Sequence, residues 1–318
     1  MPLVAPTPEN LDRAAASLRS GGVVAFPTET VYGLGANAFD ERAVARVFEI
    51  KARPAFDPLI VHVLDEAMLA RVVSHVPQTA RTLIERFWPG PLTLVLGKRP
   101  EVPGLVTSGL PTVAVRMPAH PIARALLERS AVPLAAPSAN PFGRLSPTRA
   151  EHVGAMLGER VDLIIDGGPA EHGLESTIVA LEPSPVLLRP GAIPIDLIES
   201  ALREAIPVQG SDGSAPSAPG RLPHHYAPRT PMRLVDLESV PAGERARAAW
   251  MSLSRRAAGY AYVRLLSERE DLREAAARLF STLHELDELG LERIDVDPLP
   301  ERGLGIAIMD RLRRAAAR

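Results

Sequence analysis

The sequence predicts an α/β protein in two parts: a larger N-terminal mixed sheet with helices, and a small C-terminal Rossmann-like parallel α/β unit. Three observations predict it. Over the first 207 of 318 residues, short apolar runs and amphipathic stretches follow one another irregularly, which suits a mixed sheet rather than strict βαβ repetition. Residues 208–231, VQGSDGSAPSAPGRLPHHYAPRTP, break this pattern with the Gly/Ser/Ala/Pro composition of a linker. Beyond it, strand and helix patterns alternate regularly, as in a three-layer parallel unit. The expected division is therefore 1–207, 208–231 and 232–318. At about 150 residues per domain the length also suits two.

The elements follow in order. Thr7-Pro8, then Leu11, Ala14, Ala15 and Leu18, closed by Gly21-Gly22, predict a capped amphipathic helix. A strand over 23–27 leads into FPTETVYGLG (26–35). In an extended chain Thr28, Thr30 and Tyr32 share one face, either a solvated strand face or the wall of a site. A helix is expected from Asp40, a strand in PLIVHVL (58–64), and helices around 65–74 and 77–87, the second stopped by Trp88-Pro89-Gly90. LTLVLG and TVAVRM read as strands, 119–130 as a helix, and VPLAAPSAN as a short strand entering a polar loop. Ser146-Pro147 opens a helix ending at Gly158, followed by strands VDLIID, STIVAL and VLLR and a helix at 195–205. In the C-terminal part MRLVDL, GYAYVRLL and RIDVDPLP are strand candidates, with helices at 242–257, 268–289 and 304–317.

Composition excludes several function classes. With 46% hydrophobic and 23% charged residues the chain has the make-up of a soluble globular protein. No apolar run approaches the roughly 20 residues that span a bilayer. MPLVAPTPENLDR lacks the basic and apolar regions of a signal peptide, so the cytosol is the default location. The absence of cysteine excludes disulfides and thiolate metal sites. A net charge of −2 provides no global basic field for nucleic acid, leaving only a local groove. Of 36 cationic residues, only Lys51 and Lys98 are lysines, which makes each a candidate for a place where a compact point charge serves and a flat guanidinium does not.

There is no P-loop, Gly33-Leu34-Gly35 lacks the third glycine of the dinucleotide fingerprint, and no zinc-ligand spacing occurs. Instead, polar islands stand at the ends of apolar strands, where α/β proteins build their sites. They are Thr28, Thr30 and Tyr32; Lys51, Arg53 and Asp57, with His62 beyond; Thr112 and Arg116; Ser138, Asn140, Arg144 and Ser146; Glu175, Ser176 and Thr177; and Arg189. Each has an ordinary reading. Lys51 and Arg53 complement a helix C-terminus, His62 is a core histidine, and Arg116 is a buried ion-pair partner. Ser138 and Asn140 form turns, Ser146 caps a helix, Ser176 starts a strand, and Arg189 satisfies backbone carbonyls. Together, Lys51, Arg53, Arg116 and Arg189 with many hydroxyls and few carboxylates form a site for phosphates and a carboxylate. That suits phosphoryl or adenylyl transfer, not paired-carboxylate hydrolysis.

FPTETVYGLG, KARPAFDPLIVHV, APSAN…SPT and ESTIV…LLRPGAI, in this order, closely resemble the YrdC-like threonylcarbamoyl-AMP synthases. PGRLPHHYAP and the tail GLGIAIMDRLRRAA resemble the long, two-domain form of that family. The resemblance implies a YrdC-like twisted mixed sheet and a reaction of ATP, carried with Mg²⁺, with L-threonine and bicarbonate (or CO2). The products are threonylcarbamoyl-AMP and pyrophosphate, the former feeding tRNA modification next to the anticodon through a downstream threonylcarbamoyl transferase. It implies Thr30, His62, Arg116, Ala136 and Ser176 on the threonine side. On the nucleotide side it implies Lys51, Arg53, Asp57, Thr112, Ser138, Asn140, Ser146, Arg189 and Tyr226, with Lys51 and Arg53 the catalytic cations. Tyr226 resembles a residue that folds back over the nucleotide, which makes 208–231 a lid. No protein-held metal, membrane contact or strong tRNA binding is expected. Two departures stand out: Asp57 replaces the usual Asn, and Leu222-Pro223 replaces an aromatic and Arg. Other readings are a double-stranded RNA-binding module without turnover, a carbamoyl-transferring maturation enzyme, whose cysteine-rich zinc modules are absent here, and a nucleotide sensor.

Overall fold

Short buried apolar runs assemble into two sheets in the computed structural model, which describes residues 3–209 and 225–317. Arg221, Leu222, Pro223 and His224 of the expected lid therefore lie outside the described residues. The first sheet has ten strands in the order Leu3–Val4, Leu163–Ile165, Val24–Phe26, Gly33–Asn37, Leu134–Ala135, Ile60–His62, Thr112–Arg116, Leu92–Gly97, Thr177–Ala180 and Val186–Arg189. Its pairings are both parallel and antiparallel, as the irregular element order requires. Ile60–His62 runs parallel to Thr112–Arg116 with His62 opposite Arg116, so both polar residues end their strands side by side. Gly35 is needed where two strands meet closely: a Cβ there would lie 2.6 Å from Phe26 Cε1.

Helices cover this sheet with apolar faces. Pro8–Arg19 is capped by Thr7 and buries Leu11, Ala14, Ala15 and Leu18, as expected. Glu41–Lys51 is capped by Asp40 and ends at Ala52 in the left-handed region (φ 50°), which turns the chain into the Arg53–Asp57 loop. The helix expected at 65–74 is only the turn Glu66–Leu69. The helix expected from Ser146-Pro147 begins instead at Ala150, leaving Ser146 to bond elsewhere.

The second sheet is all parallel, in the order Met232–Leu234, Arg293–Val296, Ala248–Ser252 and Tyr262–Leu265. Helices Leu272–Glu288 and Leu304–Ala316 complete the Rossmann-like unit. The helix expected over 242–257 is absent. A single turn, Ala242–Arg245, precedes the central strand Ala248–Ser252. All five residues of AAWMS are buried, and a continuous apolar run between two parallel neighbours has no alternation to distinguish it from a helix. The core of this second unit also takes in Val31, Leu145 and Leu174 from the larger part, and Tyr226. Among the described residues no helix is long and apolar enough to cross a membrane.

Candidate active site

A cleft of roughly 520 Å³, including space open to solvent, lies where the islands meet. All five expected threonine-side residues line it: Thr30, His62, Arg116, Ala136 and Ser176. Of the nucleotide-side set, Arg53, Ser138, Arg189 and Tyr226 line it.

The row of three hydroxyls is only partly formed. Residues 29–31 bend instead of extending, so the two-residue period does not hold. Thr28 Oγ1 donates to Val31 O at 2.6 Å and lies 2.8 Å from Thr30 Oγ1. Thr30 in turn accepts from Arg116 Nη1 at 2.8 Å. Tyr32 points away from both. Its hydroxyl donates to Gly168 O (2.7 Å) and accepts from Gly167 N (3.1 Å), tying the neighbouring loop to the sheet.

Arg116 is fixed on three sides, by Thr30, by Gly90 O (Nε, 3.1 Å) and by Glu29, whose Oε1 stands 2.6 Å from Nη2. That last contact is an ion pair whose angles fall short of a hydrogen bond. Burial would raise the Glu29 carboxyl, but the Arg116 charge overrides it and holds the group at about 2. Sequence reasoning missed Glu29. Its only signal was a lone carboxylate within the hydroxyl segment. His62 meets Phe26 edge-on at 6.2 Å and has no partner on its buried Nδ1. Burial, reinforced by the nearby Arg116 charge, lowers it to about 3, so the imidazole is neutral at pH 7. Ser176 Oγ bonds Thr93 Oγ1 at 2.7 Å and accepts from Arg189 Nη2 at 3.2 Å.

The nucleotide side is built more deeply. Arg53 donates to Asp57 O (2.9 Å) and Pro58 O (2.7 Å), while its Nη2 stands 2.8 Å from Asp57 Oδ2. Arg189 donates to Ser176 O at 2.8 Å, so the carbonyl-satisfying reading and the cleft-lining reading both hold for it. Lys51 lies beneath the lining, its Nζ 2.5 Å from both Ser138 O and Asn140 O. Burial, with Arg53 adding to it, pushes the Lys51 amine well below the usual lysine range. Burial raises Asp57, against the pull of Arg53. Asn140 Nδ2 donates to Pro141 O and Arg144 O, shaping the loop. Ser146 Oγ donates to Glu175 Oε1 at 2.5 Å, and Glu175 lines the cleft. Thr112 stands apart, half-buried at the start of its strand opposite Gly97.

The end of the expected lid enters the cleft. Ala227 N donates to Gly143 O at 2.9 Å, and His225 and Tyr226 are buried, with ring centroids 4.1 Å apart. Tyr226 holds φ 65°, and its buried hydroxyl has no hydrogen-bond partner. Burial, with Arg53, Lys51 and Arg189 nearby, keeps His225 neutral. One cleft thus joins a carboxylate-sized guanidinium corner to a wall of cations beneath a tyrosine.

Known proteins share this fold over nearly the whole chain. A family model described as "Telomere recombination" (Sua5_yciO_yrdC) matches residues 16–191, and one described as "Threonylcarbamoyl-AMP synthase, C-terminal domain" matches residues 193–317. The threonylcarbamoyl-AMP synthase of Pyrococcus abyssi is 43% identical over 316 residues, covering 95% of this chain and 93% of that protein. That of Bacillus subtilis is 42% identical over 319 residues, covering 96% and 92%. The crystal structure of P. abyssi Sua5 complexed with L-threonine is similar with a TM-score of 0.92 at 41% identity, over 99% of this chain and 97% of that one. The chain belongs to the YrdC-like threonylcarbamoyl-AMP synthase family, in its long form with a C-terminal Sua5 domain.

Proposed function

We propose that this protein condenses L-threonine, bicarbonate (or CO2) and ATP to threonylcarbamoyl-AMP and pyrophosphate, as a nucleotidyltransferase. The observation that carries the reading is Arg116, braced by Glu29 and lining one cleft with Thr30, His62, Arg53 and Arg189. The Arg116 fork, braced by Glu29 from outside the cleft lining, suits the amino acid's carboxylate. The neutral His62 and the Thr30 and Ser176 hydroxyls offer hydrogen bonds without further charge.

The threonine ammonium gives one proton to solvent, and its neutral amine then adds to CO2, forming the N–C bond and releasing a second N–H proton to solvent to leave a carbamate anion. A carbamate oxygen then attacks the α-phosphorus as the bond to the pyrophosphate oxygen breaks. No side chain becomes covalently attached. The protein's task is to hold two anions in line, which Arg53 and Arg189 serve by neutralising charge and Lys51 by fixing the 138–140 loop. Asp57, buried against Arg53 and outside the cleft lining, would hold that guanidinium in place, while magnesium carried with the nucleotide would offset phosphate charge. Segment 208–231 acts as a lid, with Tyr226 excluding water from a labile mixed anhydride. In this reading the N-terminal 1–207 carries the chemistry, and the product passes in the cytoplasm to a tRNA threonylcarbamoyl transferase.

Pyrophosphate release from ATP, with bicarbonate and Mg²⁺ across a panel of amino acids, tests it. Release should require L-threonine and collapse without bicarbonate. Folded protein with no threonine-dependent release would overturn the reading and favour RNA binding.

A further inference from the structure

The C-terminal tail motif contains a buried cation that no step above uses. Arg311, on the helix Leu304–Ala316, is 1% exposed. Each of its three guanidinium nitrogens donates a hydrogen bond. Nε donates to Glu175 Oε2 (2.7 Å), Nη1 to Asp310 Oδ2 (2.5 Å) and Nη2 to Pro190 O (3.0 Å). Its face lies 4.9 Å from the centre of the Tyr226 ring. The other Glu175 oxygen accepts from Ser146. A single side chain from the smaller unit therefore holds the tyrosine of the lid, the serine of the 138–146 loop and the residue after Arg189.

We propose that Arg311 is a positioning residue through which the C-terminal unit sets the nucleotide half of the cleft for a triphosphate. Glu175 lines the cleft beside Arg53 and Arg189, where a bare carboxylate would repel phosphates. Arg311 cancels that charge from behind while directing Oε1 to Ser146. Its position against the Tyr226 ring makes the placing of that ring over the cleft depend on the same guanidinium. Lysine cannot reproduce this, because three separate acceptors and a ring face require a planar fork.

The inference rests on the proposed ATP-dependent reaction, but ATP binding tests it without turnover. Calorimetric titration of the full chain with Mg·ATP is compared for wild type, Arg311→Ala, Arg311→Lys and Arg311→Ala with Glu175→Gln. A lost charge-assisted bond is worth roughly ten- to hundredfold. Arg311→Ala should weaken ATP binding by about that factor, with Arg311→Lys intermediate. Adding Glu175→Gln should restore part of the affinity by removing the bare charge. In steady state the KM for ATP should rise while that for threonine stays within about twofold. Unchanged ATP affinity, equal weakening of both substrates, or no recovery in the double variant would overturn the proposal. Should Arg311→Ala not fold, Arg311→Lys carries the test. Wild type that binds ATP yet releases no pyrophosphate would refute the proposed reaction while leaving these binding comparisons decisive.

Discussion

Arg116→Ala removes the guanidinium that joins Thr30, Gly90 and Glu29, and its two consequences are separable. The first is structural. Glu29 and Arg116 side chains are each only 4% exposed, and a buried ion pair broken on one side costs about 3–5 kcal/mol. The second is recognition. Charge-assisted hydrogen bonds to the substrate carboxylate are worth about 1.5–3 kcal/mol each, so the KM for threonine should rise by roughly ten- to hundredfold or more. Glu29→Gln combined with Arg116→Ala removes the stranded charge. It should recover most of the stability and none of the threonine recognition. Thermal unfolding and threonine titration at saturating ATP read the two effects independently. A double variant with a threonine KM within about twofold of wild type would refute the assignment of Arg116 to the amino acid. A single variant as stable as wild type would refute the burial argument.

Three further outcomes follow from the geometry. Lys51→Arg forces a larger fork between carbonyls that lie 2.5 Å from Nζ; it should cost about 1–3 kcal/mol and lower kcat more than threonine affinity, as a melt and paired titrations would show. Gly191→Ala places a Cβ 2.4 Å from Glu175 O and Thr177 N, both backbone, so the 175–177 segment must move. Both substrate KM values should rise and the melting temperature fall, whereas unchanged kinetics would contradict the tight approach. His62, lowered to about 3 against an ordinary 6.5, stays neutral when folded and takes up its proton on unfolding. Its stabilising contribution is therefore complete above about pH 6.5 and lost as pH falls towards 3, about 2 kcal/mol of it by pH 5. Denaturant unfolding at pH 7.5 and 5 should show this loss in wild type and less of it in His62→Gln.

Much of the molecule was legible because its signals are local. Helix caps at Thr7 and Asp40, the apolar runs of the main sheet and the polar residues at strand ends all depend on nearby sequence. The threonine-side residues converge because their strands are neighbours in one sheet, with His62 opposite Arg116. What escaped depends on distant partners or broken periods. The bend at 29–31 turns Tyr32 out of the row, and no spacing announces a bend that includes the second threonine. Ser146 followed by Pro147 looked like a helix start, yet its hydroxyl is taken by Glu175, 29 residues away. Arg311 reaches Glu175 across 136 residues, a contact invisible to periodicity. Ala248–Ser252 carries no strand signal because burial on both faces erases the alternation that marks a strand.

Incorporation of isotopically labelled bicarbonate tests the central claim most directly. With ATP, Mg²⁺ and L-threonine, label should enter a nucleotide whose mass is that of threonylcarbamoyl-AMP, and none should enter without threonine. Label absent from every nucleotide product, while ATP is still consumed, would contradict carbamate adenylylation in this cleft.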